Sequence, residues 1–230
     1  MSENTREPND IRVLGYVLKR TNYSEADRIL NLITPVGKRT AIAKGVRKAR
    51  SKLAGGVEMF TLSEYNLHFG RGEMGVVTGV KMVRYLGNIL KDYERMELAG
   101  VILKRVSRVA ESSDNPEYFN IVDQALSTLD NGADTRLVES WFVLNLLRTM
   151  GEEVNLYRDV SGVVLKPDLQ YDWDVVNEAF NERENGEFGV NEIKLLRLMT
   201  TTELSVARRV KVSSEMMDRV LDFTRLISKM

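Results

Sequence analysis

The hydrophobic period of this chain changes once, near Val83, and that change limits the folds open to it. Before it, β-branched and aromatic residues alternate with polar ones in short runs. After it, apolar residues recur at helical spacing. Ile11–Lys19, Ala26–Thr34, Arg39–Val46, Val57–Phe69 and Glu73–Val83 read as five strands. Thr21–Glu25, Thr34-Pro35-Val36-Gly37, Arg47–Gly56 and Gly70-Arg71-Gly72 separate them as turns and loops. Such a series predicts a small antiparallel barrel or sandwich.

Tyr93–Glu111, Pro116–Leu129, Thr135–Met150, Asn191–Val210 and Ser214–Met230 read as helices. Asp114-Asn115 before Pro116 form an N-terminal cap with a first-turn proline, and Gly132 and Gly151 fall just past helix ends. Thr135–Met150 is apolar on most sides, as a helix inside a bundle would be. The pattern breaks over residues 152–190, an insertion with two short strands predicted at Gly162–Lys166 and Asp172–Val176. The expected architecture is α+β: a five-stranded barrel over residues 1–82 and a helical domain over residues 83–230.

Cysteine is absent and His68 is the single histidine among 230 residues. Thiolate metal sites, disulfides and cysteine nucleophiles are excluded. No apolar run is long enough to span a bilayer, and MSENTREPND is too polar for a secretory signal, so the expected compartment is the cytoplasm.

The formal net charge of zero hides an asymmetry. Residues 1–79 hold 13 basic and 8 acidic side chains, whereas residues 80–230 hold 20 and 25. Arg28, Lys38, Arg39, Lys44, Arg47, Lys48, Arg50 and Lys52 fall within residues 28–57, where no acid occurs. A solvated loop kept soluble by Lys and Arg would normally intersperse acids. The uninterrupted block points instead to a polyanion site, with phosphate backbone as its natural ligand.

Apparent catalytic motifs fail on context. Gly70-Arg71-Gly72-Glu73-Met74-Gly75 spells a dinucleotide fingerprint, but strand-forming Val76-Val77-Thr78 follows where a helix is required. Gly37-Lys38 lacks the upstream glycine of a phosphate-binding loop, and no nucleophile elbow occurs. His68 has no sequence-local partner and reads as a structural or surface residue. Asp172 and Asp174 flank Trp173, and residues 178–187 are rich in acids and Asn around Arg183. Both read as polar edges or loops rather than metal or catalytic sites. Nothing points to an enzyme or a cofactor.

A basic loop on a small β-domain suits nucleic acid, since oligonucleotide-binding barrels track phosphates with cations and stack bases on aromatic rings. Tyr16, Tyr23, Phe60, Tyr65 and Phe69 are the rings available. A barrel needs filling, so only Tyr16 and Tyr23 are retained as candidate stackers.

Residues 17–72 resemble the N-terminal domain of the RecO family of bacterial recombination mediators. The resemblance rests on Val17-Leu18-Lys19, Glu25-Ala26-Asp27-Arg28-Ile29-Leu30, Thr34-Pro35 with Gly37-Lys38, Ala43-Lys44-Gly45-Val46-Arg47-Lys48, Ser51-Lys52-Leu53 and Gly70-Arg71-Gly72, in matching order and spacing. Downstream it is carried by Leu146-Leu147-Arg148, Gly151 and Asn155-Leu156. It implies an oligonucleotide-binding (OB) fold followed by a helical domain, and a non-enzymatic, nucleoid-associated protein. Such proteins bind single- and double-stranded DNA and anneal complementary strands. They contact the C-terminal tail of the single-strand binding protein SSB, and with RecR they help load RecA. The basic block, joined by Arg71 on the Gly-Arg-Gly turn, coincides with the family's DNA-binding surface. Arg136, Arg148, Arg208 and Arg209 lie in helices able to rim an apolar pocket for the SSB tail.

The sequence departs from the family at one point. Many members bind zinc through Cys-x-x-Cys pairs after the Leu–Gly helix end, yet Leu156–Gly162 has no cysteine. The insertion is then expected to hold by packing, through Tyr171, Trp173 and Val175-Val176. A competing reading is an adaptor whose barrel binds RNA or an acidic protein without annealing activity, since fold does not fix function.

Overall fold

A computed structural model describes residues 9–228; the polar N-terminal segment up to residue 8 and the last two residues of the final predicted helix lie outside them. The chain divides into two compact units, Met1–Leu126 and Ser127–Met230.

In the first unit, β1 (Asp10–Asn22), β2 (Arg28–Thr34), β3 (Gly37–Ala43), β4 (Thr61–His68) and β5 (Gly75–Tyr85) close into a barrel in the order β1-β2-β3-β5-β4. β1 returns to β4 through pairs running from Asp10–His68 to Tyr16–Leu62. The expectation of a wholly antiparallel barrel needs correction. β3 and β5 pair in parallel at Ala41–Gly75 and Ile42–Val76, because these strands are joined through β4 rather than by a hairpin. The interior is filled by Val13, Val17, Leu30, Leu32, Ala41, Tyr65, Leu67 and Val77.

Helix α1 (Tyr93–Val109) starts at Asp92, whose side chain accepts from the Arg95 N–H, and packs against β1. α2 (Glu117–Asp130) begins where Asn115 Oδ1 accepts from the Glu117 N–H at 2.9 Å. Asp114, predicted as half of that cap, turns instead to β3.

In the second unit, α3 (Thr135–Met150) buries Val138, Trp141, Phe142, Val143, Leu144 and Leu146, as its apolar circumference requires. It packs on α4 (Val190–Thr201) and α6 (Ser214–Ile227). The predicted helix Asn191–Val210 is broken. Thr202 is extended, and a short α5 (Leu204–Ala207) follows. The hydroxyls of Thr200, Thr201 and Thr202 take helix carbonyls at Arg197 and Leu198, which loosens the last turn.

The insertion contains one hairpin, β6 (Tyr171–Asp174) with β7 (Ala179–Glu182). Gly162–Lys166 is not a strand; it contributes a single bridge, Val164 to Arg158. Tyr171, Trp173, Phe180, Phe188 and Phe223 form one aromatic cluster with ring centroids 5.1–6.3 Å apart. Val175 and Val176, expected to help hold the insertion, sit exposed at the hairpin turn and do not. A thiolate zinc centre does not fit these residues. Among the described residues no group of three His, Cys, Asp or Glu side chains could hold a metal ion, and no helix is long and apolar enough to cross a membrane.

Candidate nucleic-acid interface

The segment from Lys44 to Phe60 joins β3 to β4. Gly45, at φ +66°, turns the chain off β3, a conformation that favours glycine. Short turns follow, with Lys48 N–H donating to Gly45 O and Ser51 N–H to Lys48 O. Val46 and Val57 are buried and Leu53 packs on the barrel core, so the segment is pinned by its apolar residues. It is also tied to the β1–β2 turn. Gly45 N–H donates to Asp27 Oδ1 at 2.7 Å, Arg47 N–H to Ala26 O at 2.9 Å, and Arg47 Nη1 to Ser24 O at 3.0 Å.

Between these anchors Lys44, Arg47, Lys48, Arg50 and Lys52 are exposed. Among the described residues none of the five makes an ion pair. Tyr23 lies on the turn that holds them and is 63% exposed. The structure thus brings together five predicted cations and one predicted ring.

The other predicted cations have different surroundings. Arg28 pairs with Glu58, which also takes Arg20. Lys38 Nζ lies 4.0 Å from Glu111, and Arg39 Nη1 3.3 Å from Asp114. Lys38, Arg39 and exposed Arg71 line a cleft of about 1300 Å³ with His68, Phe69 and Glu73. His68 Nδ1 is 2.8 Å from Asp10 Oδ1, a partner across β1 that the local sequence could not name.

Tyr16 needs correction as a stacking residue. Its ring is 1% exposed, because helices cover the outer face of β1. The ring lies 6.0 Å from Phe119, and its hydroxyl donates to Asp123 Oδ1 at 2.6 Å while Arg84 Nη2 donates to it. Burial and the Asp123 carboxylate push this phenol well above its usual range. Phe60 and Tyr65 are likewise buried, and Phe69 packs partly on the core.

Sequence reading missed Glu58, Glu111 and Asp114 as neutralising partners. Two of them are brought in from the α1–α2 connection, and no local signal marks them. In the helical unit, a cavity of about 470 Å³ is lined by apolar Leu137, Leu195, Val210 and Met217 together with Arg208, Lys211 and Asp134. Of the other arginines considered for such a rim, Arg136 is held by Asp134 and Asp218, and Arg148 donates to Asn145.

The Recombination protein O N-terminal family model matches residues 9–86, and the C-terminal model matches residues 90–229. The chain is 27% identical over 232 residues to the DNA repair protein RecO of Dehalococcoides mccartyi (strain ATCC BAA-2266 / KCTC 15142 / 195), covering 93% of this chain and 87% of the relative. To the DNA repair protein RecO of Exiguobacterium sp. (strain ATCC BAA-1283 / AT1b) it is 31% identical over 212 residues, covering 89% and 84%. The DNA repair protein RecO of Roseiflexus sp. (strain RS-1) is 27% identical over 219 residues, covering 88% and 74%. With both family models matched in order along nearly its whole length, the chain belongs to the RecO family.

Proposed function

We propose that this protein is a non-enzymatic, DNA-binding mediator of recombinational DNA repair, acting in the cytoplasm on the nucleoid. The observation that carries the reading is the set of five exposed cations on one anchored loop, none in an ion pair among the described residues, beside an exposed tyrosine. Its relatives are named DNA repair proteins. The barrel's strand order suits an OB fold, with the binding function in residues 1–82 and the helical domain over 83–230 serving partners.

Lys44, Arg47, Lys48, Arg50 and Lys52 would neutralise phosphates and release counterions, on single- or double-stranded DNA alike, since backbone charge carries no sequence. Tyr23 would stack a base where the strand is single. Two strands so neutralised lose their mutual repulsion and pair, which is annealing. The cavity lined by apolar residues and by Arg208 and Lys211 would seat an acidic, apolar-ended peptide such as the SSB C-terminal tail. With RecR, such contacts would help RecA load on SSB-coated DNA.

The test is annealing of two complementary fluorescent oligonucleotides, naked and SSB-coated, over a salt series. Annealing that weakens steeply with salt, and is lost in folded Lys44→Glu/Arg47→Glu, is the expected result. Normal annealing by that double variant would remove the loop from the mechanism. Absence of DNA binding even at low salt would leave the adaptor reading.

A further inference from the structure

The start of β3 carries an oxyanion cradle. Lys38 N–H donates to Asp114 Oδ1 at 2.6 Å, Arg39 Nη1 donates to Asp114 Oδ2 at 3.3 Å, and Lys38 Nζ stands near Glu111. Gly37 completes the seat. Its φ is +91°, and a Cβ there would fall 1.9 Å from Asp114 Oδ1, so the carboxylate rests directly over a bare Cα. One backbone N–H, one guanidinium, one ammonium and a glycine floor are the elements of a phosphate site. Here two carboxylates of the α1–α2 connection fill it. All of these residues belong to the first unit.

We propose that this cradle binds a backbone phosphodiester of single-stranded DNA, and that Asp114 is an internal stand-in that the strand must displace. The proposal rests on the nucleic-acid reading of the barrel and adds to it a second phosphate position with built-in competition. Geometry supports it in two further ways. The cradle opens into the cleft shared by Arg71, His68 and Phe69, so an incoming strand has the Arg71 cation and a ring beyond the displaced carboxylate. That cleft holds Lys38, Arg39 and Arg71 against Glu73, Glu111 and Asp114. Its formal charge is therefore balanced while the acids stay, and becomes positive only when they leave. The exposed loop cations need no such release and make the first contact.

The experiment is anisotropy of a fluorescein-labelled oligothymidylate with the full chain, over a salt series. It uses wild type, Asp114→Asn, Arg39→Gln, the Asp114→Asn/Arg39→Gln pair, and Glu97→Gln as an exposed acid of the same unit that makes no ion pair among the described residues. Asn keeps the size and the oxygen that accepts from Lys38 but removes the charge. Asp114→Asn is expected to bind about two- to fivefold tighter at low salt, the range an exposed ion pair is worth. Its log-affinity against log-salt line should steepen by about 0.7, one further single-strand phosphate. Arg39→Gln should weaken wild-type binding less than it weakens Asp114→Asn, whose gain it should cancel. If Asp114→Asn binds as wild type does while Lys44→Glu/Arg47→Glu abolishes binding, the cradle proposal falls and the DNA reading stands. An equal gain from Glu97→Gln, or one that survives Arg39→Gln, would show a long-range charge effect and also overturn it. No binding by any protein sinks both readings. Should Asp114→Asn melt early, Glu111→Gln asks the same question with the Asp114–Lys38 bond intact.

Discussion

The Asp27 carboxylate accepts a hydrogen bond from the Gly45 N–H at 2.7 Å, so the two sequence segments most diagnostic of this family hold each other in space. Glu25–Leu30 supplies the acceptor, and Ala43–Lys48 the left-handed turn that presents the donor. The basic loop is positioned by this contact and by Arg47, whose backbone N–H and guanidinium donate to Ala26 O and Ser24 O on the β1–β2 turn.

Replacing Asp27 with Ala should therefore act on both stability and binding. A hydrogen bond to a charged group is worth about 1.5–3 kcal/mol, and Asp27 is only half-buried, so a loss near about 1.5 kcal/mol is expected by chemical denaturation. Oligonucleotide affinity should fall further than Asp27→Asn lowers it, because Asn retains an acceptor for Gly45. An unchanged melting midpoint would show that the loop is held by Arg47 and by its apolar anchors Val46, Leu53 and Val57 without help from Asp27.

Tyr23 and Tyr16 should behave oppositely. Tyr23→Ala should leave the melting temperature nearly unchanged, since the ring is 63% exposed, and weaken single-strand binding by about 1–3 kcal/mol, the worth of one stacked base. Tyr16→Phe should cost about 1.5–3 kcal/mol of stability by removing a hydroxyl bonded to Asp123 and Arg84, with DNA affinity untouched. Paired titrations and melts separate the two.

These two tyrosines also show how far the sequence could be read. Period-2 alternation located the strands of the barrel, and the acid-free block located the exposed loop. Alternation fails at β1, where Tyr16, Val17 and Leu18 are consecutively buried, because the strand register shifts between Val17 and Lys19 and because α1 and α2 cover the face that a free sheet would give to solvent. Nothing within residues 10–22 reports that cover. Charge was legible in the same partial way. The block is free of acid in sequence, yet Glu58, Glu111 and Asp114 reach Arg28, Lys38 and Arg39 through the fold. Only the cations of the exposed loop, beyond reach of such partners, keep the character that the sequence suggested. The parallel β3–β5 pairing was hidden for a related reason: it joins residues separated by a whole intervening strand.

The insertion should depend on aromatic packing and not on metal. Phe180 is fully buried among Tyr171, Trp173, Phe188 and Phe223, so Phe180→Ala should cost about 3–5 kcal/mol. A chelator should leave the wild-type melting temperature where it was. A chelator-dependent drop would reveal a site formed by oxygen ligands or the single histidine.

Acid should loosen the helical unit through Glu192. Burial raises the affinity of this carboxyl for its proton, but the Arg219 guanidinium and neighbouring N–H groups outweigh that and hold it below the ordinary carboxylate range. A lowered folded-state pKa gives stability that is present above the unfolded value, near about 4.3, and is lost as pH falls through the folded value. Asp134, held low chiefly by Arg136, acts in the same direction. Urea midpoints of wild type should decline as pH drops below about 5, and Glu192→Gln should be less stable at neutral pH with a flatter decline. Parallel curves for the two proteins would assign the acid sensitivity elsewhere.

The ring order also decides what kind of change the basic segment can accept. β3 and β4 are not neighbours, since β5 stands between them, so residues 44–60 form a bridge over a strand, with Gly55 and Gly56 resting on Met82 and Val80. A bridge has a minimum span. Extra residues and altered side chains should be absorbed at its outer surface, whereas loss of Val46, Leu53 or Val57 should loosen it from the barrel core. Its apolar anchors belong to the architecture, which leaves the exposed cations free to vary on a frame held by Val46, Leu53 and Val57.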